Sequence, residues 1–293
     1  MKVLVLGNKG WIGSMMCDLL HKEGIKYFTT DIRPNNKRAF EKMLIERNPT
    51  HIMSFIGRTH GKIGNKQFTT IDYLEQSGKV KENVRDNLFS PLVVALLAKK
   101  YDIHYTYLGT GCIFKFDNKH QTGNEDTGFK EDDTPNFFGS SYSIVKGYTD
   151  ELMHMLEENV LNLRIRMPII SKTHSRNFIT KITKYEYICS MPNSMTVLDE
   201  LLPYVIKMAK MNLTGTINLT NPGLITHNEI LKLYKKYVDP DFTWKNFSQE
   251  DQLKILAADR SNNCLDTTKL IKLFPNILNI KDSINNILVK YKL

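Results

Sequence analysis

The sequence predicts an α/β fold: a Rossmann-like doubly wound parallel sheet with a smaller C-terminal lobe. Three observations predict it. A short apolar strand at the N-terminus runs straight into a glycine-rich turn. Apolar runs of strand length then alternate with stretches of helical periodicity as far as residue 168, the pattern of parallel strands joined by crossover helices. Beyond residue 168 the alternation weakens, which places a second lobe there, over the strand ends.

Taken in order, Lys2–Leu6 is the first strand and Trp11 to His21 the helix that follows. Lys26–Thr30 is the second strand, ending at Asp31. Phe40–Arg47 is a short helix, and residues 49–55 form the third strand. Val80 to Lys100 reads as one long helix with Leu88, Val93, Val94, Leu96 and Leu97 on or near one stripe. His104–Leu108, Ser141–Glu157 and Leu161–Met167 are the fourth strand, the next helix and the fifth strand. Residues 114–138, rich in Asp, Asn, Gly and Thr, form a long loop of the kind that usually carries function. Thr216–Thr220 is a late strand returning to the sheet. The expected boundary therefore divides residues 1–168 from residues 169–293, with 177–183, 194–199 and most of 226–293 building the smaller lobe.

The 293 residues are 41% hydrophobic and 24% charged, ordinary for a globular protein large enough for one α/β domain and a lobe. No apolar run is long enough to span a membrane. The segment Met1 to Gly7 enters its glycine turn without a small-residue cleavage site, so it reads as strand and not as a signal peptide. Cys17, Cys112, Cys189 and Cys264 are scattered and form no C-x-x-C, which fits a reducing, cytoplasmic location. The eight histidines form no metal-spaced pair, and no metal is expected. A net charge of +9 is either a lysine-rich surface or an attraction for a polyanionic small ligand such as a nucleotide. No basic helix stripe or aromatic-basic platform points to nucleic acid.

Gly7, Gly10 and Gly13 lie between the first strand and its helix. Glycine there allows a tight turn and brings backbone N–H groups, those of Trp11 and Ile12 among them, toward a pyrophosphate at a helix N-terminus. The motif reads as a dinucleotide cradle, although its G-x-x-G-x-x-G spacing differs from the commoner G-x-G-x-x-G. Asp31 ends the second strand, where a carboxylate accepts from the adenosine ribose 2′-hydroxyl and favours NADH. Arg33, with Lys37 and Arg38 behind it, suits a 2′-phosphate instead. Both cofactors stay open, and the basic loop leans to NADPH.

Roughly 130 residues after the glycine turn, Tyr142 and Lys146 are spaced i, i+4 on a helix, which puts them on one face. A phenol is a poor acid at neutral pH unless a nearby ammonium stabilises its phenolate. Such a pair also arises as an ordinary solvated Tyr and Lys, and the upstream glycine turn is what gives it meaning. Thr110 follows the fourth strand, at the end where open α/β sheets place ligands, and its hydroxyl can bond a carbonyl oxygen. With this Thr–Tyr–Lys set the chain resembles the extended short-chain dehydrogenase/reductase family over nearly its whole length. The 4,6-dehydratases of that family carry an Asp-Glu pair directly after the threonine. Here those positions are Gly111 and Cys112, so dehydration lacks its acid and base. A thiol there can exchange protons beside a ketone, its thiolate favoured by a cationic neighbour, or it is a small buried apolar residue.

Longer strings carry a closer resemblance: Gly109-Thr-Gly-Cys-Ile-Phe114, Phe129-Lys-Glu-Asp-Asp133, Pro135-Asn-Phe-Phe-Gly-Ser140, Arg164-Ile-Arg-Met-Pro168, Arg176-Asn-Phe-Ile-Thr-Lys-Ile182, residues 192–203 and Arg260-Ser-Asn-Asn263. They are similar to the bifunctional UDP-4-keto-6-deoxyglucose 3,5-epimerase/4-keto-reductase family, which makes UDP-L-rhamnose and in plants also forms the C-terminal half of rhamnose synthase. The resemblance implies that Cys112 and Lys181 are the epimerisation acid–base pair and that Tyr142 protonates the reduced C4 oxygen. It implies that Asn87 supports the active site near the cofactor, that Arg260 holds the diphosphate, and that Asn177 and Asn193 contact uridine or sugar. Arg176, Met195 and Asp199 are left as structural. It further implies a homodimer through the helices near 80–100 and 141–157, and a separate 4,6-dehydratase protein that supplies the 4-keto sugar. Residues 54–61, Ser-Phe-Ile-Gly-Arg-Thr-His-Gly, depart from the plant pattern, as does the loop 62–74. The alternatives are a monofunctional dTDP-4-dehydrorhamnose-type reductase, which needs neither Cys112 nor Lys181, and a non-catalytic cofactor-binding regulatory subunit.

Overall fold

The computed structural model describes residues 1–291. Six strands form one sheet: β1 (Lys2–Leu6), β2 (Lys26–Thr29), β3 (His51–Ser54), β4 (His104–Thr110), β5 (Val160–Ile165) and β6 (Gly215–Asn218), in the order β2-β1-β3-β4-β5-β6. β1 pairs in parallel with β2 and β3, and β3 with β4. The chain leaves β1 for β2 on one side and returns to β3 on the other. That reversal opens a crevice at the carboxyl ends of β1 and β3, the position where such sheets bind nucleotides. β1 and β3 are buried almost throughout, which explains their continuous apolar runs.

The chain divides into two interleaved units, residues 1–110, 140–164 and 202–217, and residues 111–139, 165–201 and 218–291. The expected boundary at 168 is thus replaced by repeated crossings. The physical reason for the first lies in the loop 111–139: Ile113, Phe114 and Phe129 make a small core with Leu265, and Phe129 N donates to Cys264 O at 2.8 Å. The core of the first unit joins Leu4, Leu6, Ile52, Tyr105 and Tyr107 of the sheet to Phe40, Leu44, Val94 and Leu97 of the helices. The second unit has its own core around Ile169, Ile179, Val197, Ile230 and Ile284.

In the first unit α1 (Trp11–Lys22) and α2 (Lys37–Arg47) follow β1 and β2. The long helix expected from Val80 to Lys100 is three pieces: α3 (Val80–Val84), a π-helical turn at Arg85–Phe89 and α4 (Ser90–Lys100). Such turns often mark functional positions, and Asn87 lies inside this one. α5 (Ser141–His154) carries the Tyr142–Lys146 pair, and α6 (Phe178–Ile182) carries Lys181. The sequence reading missed α7 (Leu198–Lys210), although Leu201, Leu202, Val205, Ile206 and Ala209 recur at helical spacing and are buried. Pro203 inside it reads as a helix breaker. β6 then joins the sheet edge, as the expected late strand does. Among the described residues no helix is long and apolar enough to cross a membrane.

Candidate active site

In the first unit, β1 ends at Leu6 and α1 begins at Trp11, so residues 7–10 are the whole connection. Gly7 has φ +77°, and a side chain there would also press on the Phe55 backbone at 2.9 Å. Gly10 N donates to Gly7 O at 2.9 Å and closes the turn. A Cβ on Gly13 would run into that same carbonyl, so Gly13 lets α1 approach the turn closely. No side chain caps α1, and its first turn, Trp11, Ile12 and Gly13, presents backbone N–H groups as a helix N-terminus does to an anion. A cradle that a Cβ would fill, at the switch point of the sheet, fits a dinucleotide pyrophosphate.

Asp31 stands just beyond β2 and accepts from Lys9 Nζ at 2.6 Å. Lys9 holds the exposed Asp31 carboxyl below its ordinary value. Arg33 is exposed two residues on, and Lys37 and Arg38 open α2 behind the Asn36 cap. The sequence reading overlooked Lys9, whose signal was a lysine inside the glycine turn itself.

Asn87 is buried, not a surface amide. Its Oδ1 accepts from Arg58 N at 2.8 Å, and its Nδ2 donates to Arg58 O at 2.8 Å and Asn83 Oδ1 at 2.7 Å. Both amide protons are therefore spent on protein atoms, and Asn87 acts by holding the backbone after β3 in place. Asn83 donates to Ser141 Oγ at 2.8 Å, and Glu75 accepts from Ser141 N at 2.7 Å. These bonds run from the segment that departs from the plant pattern to the start of α5.

Thr110 is the last residue of β4 and is buried. α5 opens at Ser140, whose hydroxyl accepts from Ser143 N at 3.0 Å; this cap fixes where the helix starts and so which face carries Tyr142 and Lys146. Lys146 is only 4% exposed. It donates to the Tyr107 hydroxyl, and its Nζ stands 4.5 Å from the centre of the Tyr107 ring. Burial holds the Tyr107 phenol far above its ordinary value, and Tyr105, Tyr142 and Asp150 add to this. Tyr107 is thus a neutral acceptor that fixes the ammonium without cancelling its charge. Nothing in the strand pattern separates Tyr107 from an ordinary core aromatic.

The second unit holds the other groups. Cys112 is half-buried. Gly111, just before it, has no room for a side chain, because a Cβ would meet Leu265 at 2.7 Å and Arg166 at 3.0 Å. Lys181 lies on α6, where burial pulls its ammonium down to about 8 and Arg176 and Arg260 push the same way. Arg176, left as structural from the sequence, is thereby placed beside a site residue. Met195 and Asp199 do serve the framework, Met195 in the core and Asp199 accepting from Ser171 N at 2.7 Å. Asn177 is fully buried and caps α6; its Nδ2 donates to Ile170 O at 2.9 Å, Lys172 O at 2.8 Å and Tyr291 Oη at 3.1 Å. Asn193 is equally buried, its Oδ1 accepting from Arg166 Nη2 at 2.6 Å and Asn263 N at 3.0 Å. Both amides therefore shape the framework around Lys181 and Arg166. Arg260 is half-buried and donates to Ala258 O at 2.7 Å.

A glycine cradle at the switch point, a buried threonine at a strand end and a Tyr–Lys pair on α5 are the equipment of a nicotinamide-dependent enzyme acting at a carbonyl. Residues 3–184 match the model of the NAD dependent epimerase/dehydratase family. The L780 protein of Acanthamoeba polyphaga mimivirus is 53% identical over 100% of this chain and 99% of that protein. Its crystal structure, described as a UDP-rhamnose synthase, superposes with a TM-score of 0.94 over 99% of each chain. A bifunctional dTDP-4-dehydrorhamnose 3,5-epimerase/reductase of Arabidopsis thaliana is 45% identical over 96% of this chain and 90% of that protein. A trifunctional UDP-glucose 4,6-dehydratase/3,5-epimerase/reductase of the same plant is 43% identical over 99% of this chain, which spans 41% of it. The chain belongs to the NAD dependent epimerase/dehydratase family and, within it, to the 3,5-epimerase/4-keto-reductases.

Proposed function

We propose that this chain converts UDP-4-keto-6-deoxy-D-glucose to UDP-L-rhamnose, inverting C3 and C5 and then reducing the C4 ketone with NAD(P)H. What carries the reading is the 45% identity to a 3,5-epimerase/reductase over 96% of the chain, and Lys181 on α6, drawn down to about 8 by burial and by Arg176 and Arg260, agrees with it. An acid–base residue works best with a pKa near the operating pH. The 4-keto group acidifies the protons on C3 and C5. A base takes the C–H proton, the electron pair enters an enolate, and an acid returns a proton to the opposite face. Cys112 and Lys181 hold those two roles. At C4 the Thr110 hydroxyl bonds the ketone oxygen and Tyr142 gives that oxygen its proton. Lys146, anchored on Tyr107, stabilises the phenolate left behind. When bound, the nicotinamide supplies hydride to C4. Arg260 pairs with the diphosphate. A 4-keto-6-deoxy sugar is the product of a 4,6-dehydration, and Gly111 and Cys112 stand after Thr110 where the dehydratases carry their Asp-Glu pair.

Incubation with UDP-4-keto-6-deoxyglucose and NADPH in D₂O, read by NMR, tests the whole reading. UDP-L-rhamnose carrying deuterium at C3 and C5 is expected. A reduced sugar without that deuterium would make the chain a plain reductase, and turnover of the dTDP sugar alone would replace the nucleotide.

NADPH is the proposed cofactor, with Lys9 and Arg33 holding its 2′-phosphate and Trp11, Ile12 and Gly13 its pyrophosphate. Losing one charge-assisted phosphate contact costs about 1.5–3 kcal/mol, so Lys9→Ala is expected to raise KM for NADPH at least tenfold and to move KM for NADH much less. Equal changes for both cofactors would leave Asp31 and a ribose hydroxyl as the better reading.

A homodimer is proposed through α4 and α5, which pack together. Ile144 and Tyr148 of α5 and Met155 just past its end are exposed, as are Phe89 and Leu96 of the neighbouring segment. A second copy of this chain would cover them. Light scattering is expected to give twice the 33.9 kDa chain mass, reduced to the single mass by Tyr148→Glu; a monomeric wild type would refute this assembly. Four free cysteines fit a cytoplasmic setting.

A further inference from the structure

Arg166 follows β5 and is 1% exposed. A buried guanidinium is costly unless its charge is matched. Two residues earlier, buried Arg164 shows the usual solution, bonding the Asp150 carboxylate at 2.5 Å and 3.1 Å. Among the described residues no carboxylate bonds Arg166. Its side chain donates to Gly111 O at 3.0 Å, Ser261 Oγ at 2.9 Å, Ser261 O at 2.9 Å and Asn193 Oδ1 at 2.6 Å, all neutral acceptors. Its Nε meets no partner among the described residues. The charge is hydrogen-bonded but not neutralised.

Two thiols interact with it electrostatically. Burial pulls the guanidinium down from its ordinary value, while Cys112 and Cys264 favour its charged form. Cys264 does not supply an anion at neutral pH: burial pushes its thiol up to about 11, with Glu125 and Asp266 pressing the same way, and the Ser194 hydrogen bond and Arg166 itself only partly offset this. His227 also feels the Arg166 charge, but burial pulls it down to about 4, so it is neutral at pH 7. Cys112 remains. It is half-buried where Cys264 is buried, and the carbonyl of the Gly111–Cys112 peptide is the one that Arg166 Nη1 bonds. The guanidinium stem also packs against Gly111, which explains why no side chain fits there.

We infer that Arg166 is the fixed cation that stabilises the Cys112 thiolate, and so a positioning residue for the epimerisation half of the reaction. The inference rests on the proposed acid–base role of Cys112 and deepens it. A thiolate matches the charge that neutral acceptors leave unmatched. When Cys112 takes a proton from the sugar, the guanidinium again lacks a counter-charge, and the pair favours giving that proton up.

The test is alkylation of Cys112 by iodoacetamide across pH in the full-length protein, followed by mass spectrometry of the Cys112 peptide. Three variants are compared with wild type: Arg166→Met removes the charge, Arg166→Lys keeps it, and Asn193→Asp places a carboxylate on the intact guanidinium. The midpoint of alkylation is expected to rise by about one pH unit or more in Arg166→Met and Asn193→Asp. At pH 7 that is roughly a tenfold loss of alkylation rate. Arg166→Lys should shift it least. If Arg166→Met does not fold, Asn193→Asp decides alone. A midpoint unmoved in folded Asn193→Asp or Arg166→Met overturns the inference, since a purely structural arginine would leave it in place. Failure of the functional reading shows separately: Cys112→Ala would then keep deuterium exchange at C3 and C5, whatever the alkylation midpoint does.

Discussion

Tyr142→Phe is expected to lower C4 reduction by about 10²- to 10⁴-fold, the usual contribution of a positioned general acid, and to leave deuterium exchange at C3 and C5 close to wild type. The substitution removes one hydroxyl and keeps the ring. The Ser140 cap on Ser143 N, which sets the start of α5, does not involve Tyr142. Lys146 keeps its Tyr107 anchor, so it still holds its place on the helix. What is lost is the proton that C4 oxygen needs as it becomes a hydroxyl. NMR in D₂O, with NADPH consumption followed in parallel, reads both activities from one sample. A variant that reduces normally would remove Tyr142 from the mechanism. A variant that loses exchange and reduction together would show that the two half-reactions do not use separate acids.

Such a split can be argued because much of the site is chain-local. The glycine turn and the Tyr142–Lys146 spacing are patterns within a few residues, and the structure places them as expected, on the β1–α1 connection and on one face of α5. Residues whose meaning depends on distant partners stayed hidden. Tyr107 matters through Lys146, 39 positions away. Arg166 stood inside a recognised string, yet its role appears only with Gly111, Asn193 and Ser261 around it. Two other polar residues show the same dependence on distant partners. Asn177 and Asn193 are polar residues in site-like strings, and only the fold shows their amides turned inward to cap and brace. The interleaved units were likewise invisible, because the loop 111–139 looks hydrophilic while Ile113, Phe114 and Phe129 anchor it to Leu265. The break in the helix before α4 was hidden as well: the apolar stripe does not mark the π-turn at Arg85–Phe89, in which Asn87 is buried.

Cys112→Ala and Lys181→Met are expected to reverse the Tyr142 result, lowering exchange at C3 and C5 by at least about 10²-fold while reduction of pre-epimerised UDP-4-keto-L-rhamnose continues. The pair must begin with one partner protonated and the other not. With Cys112 as thiolate, Lys181 is the ammonium that returns the proton. Lys181 sits at about 8 through burial, Arg176 and Arg260. Its protonated form is complete well below pH 8 and lost as pH rises through that value, so exchange should fall along a basic limb near pH 8. Arg176→Met removes one of the cations that depress Lys181, and the limb should then move to higher pH by roughly half a unit. The reduction step, which does not use Lys181, should not follow that shift. An exchange rate that instead rises through pH 8 would make Lys181 the base and Cys112 the acid, and the thiolate would then not be the working form of Cys112. A limb that ignores Arg176→Met would mean that burial and Arg260 set the Lys181 ammonium without it, leaving Arg176 to the framework.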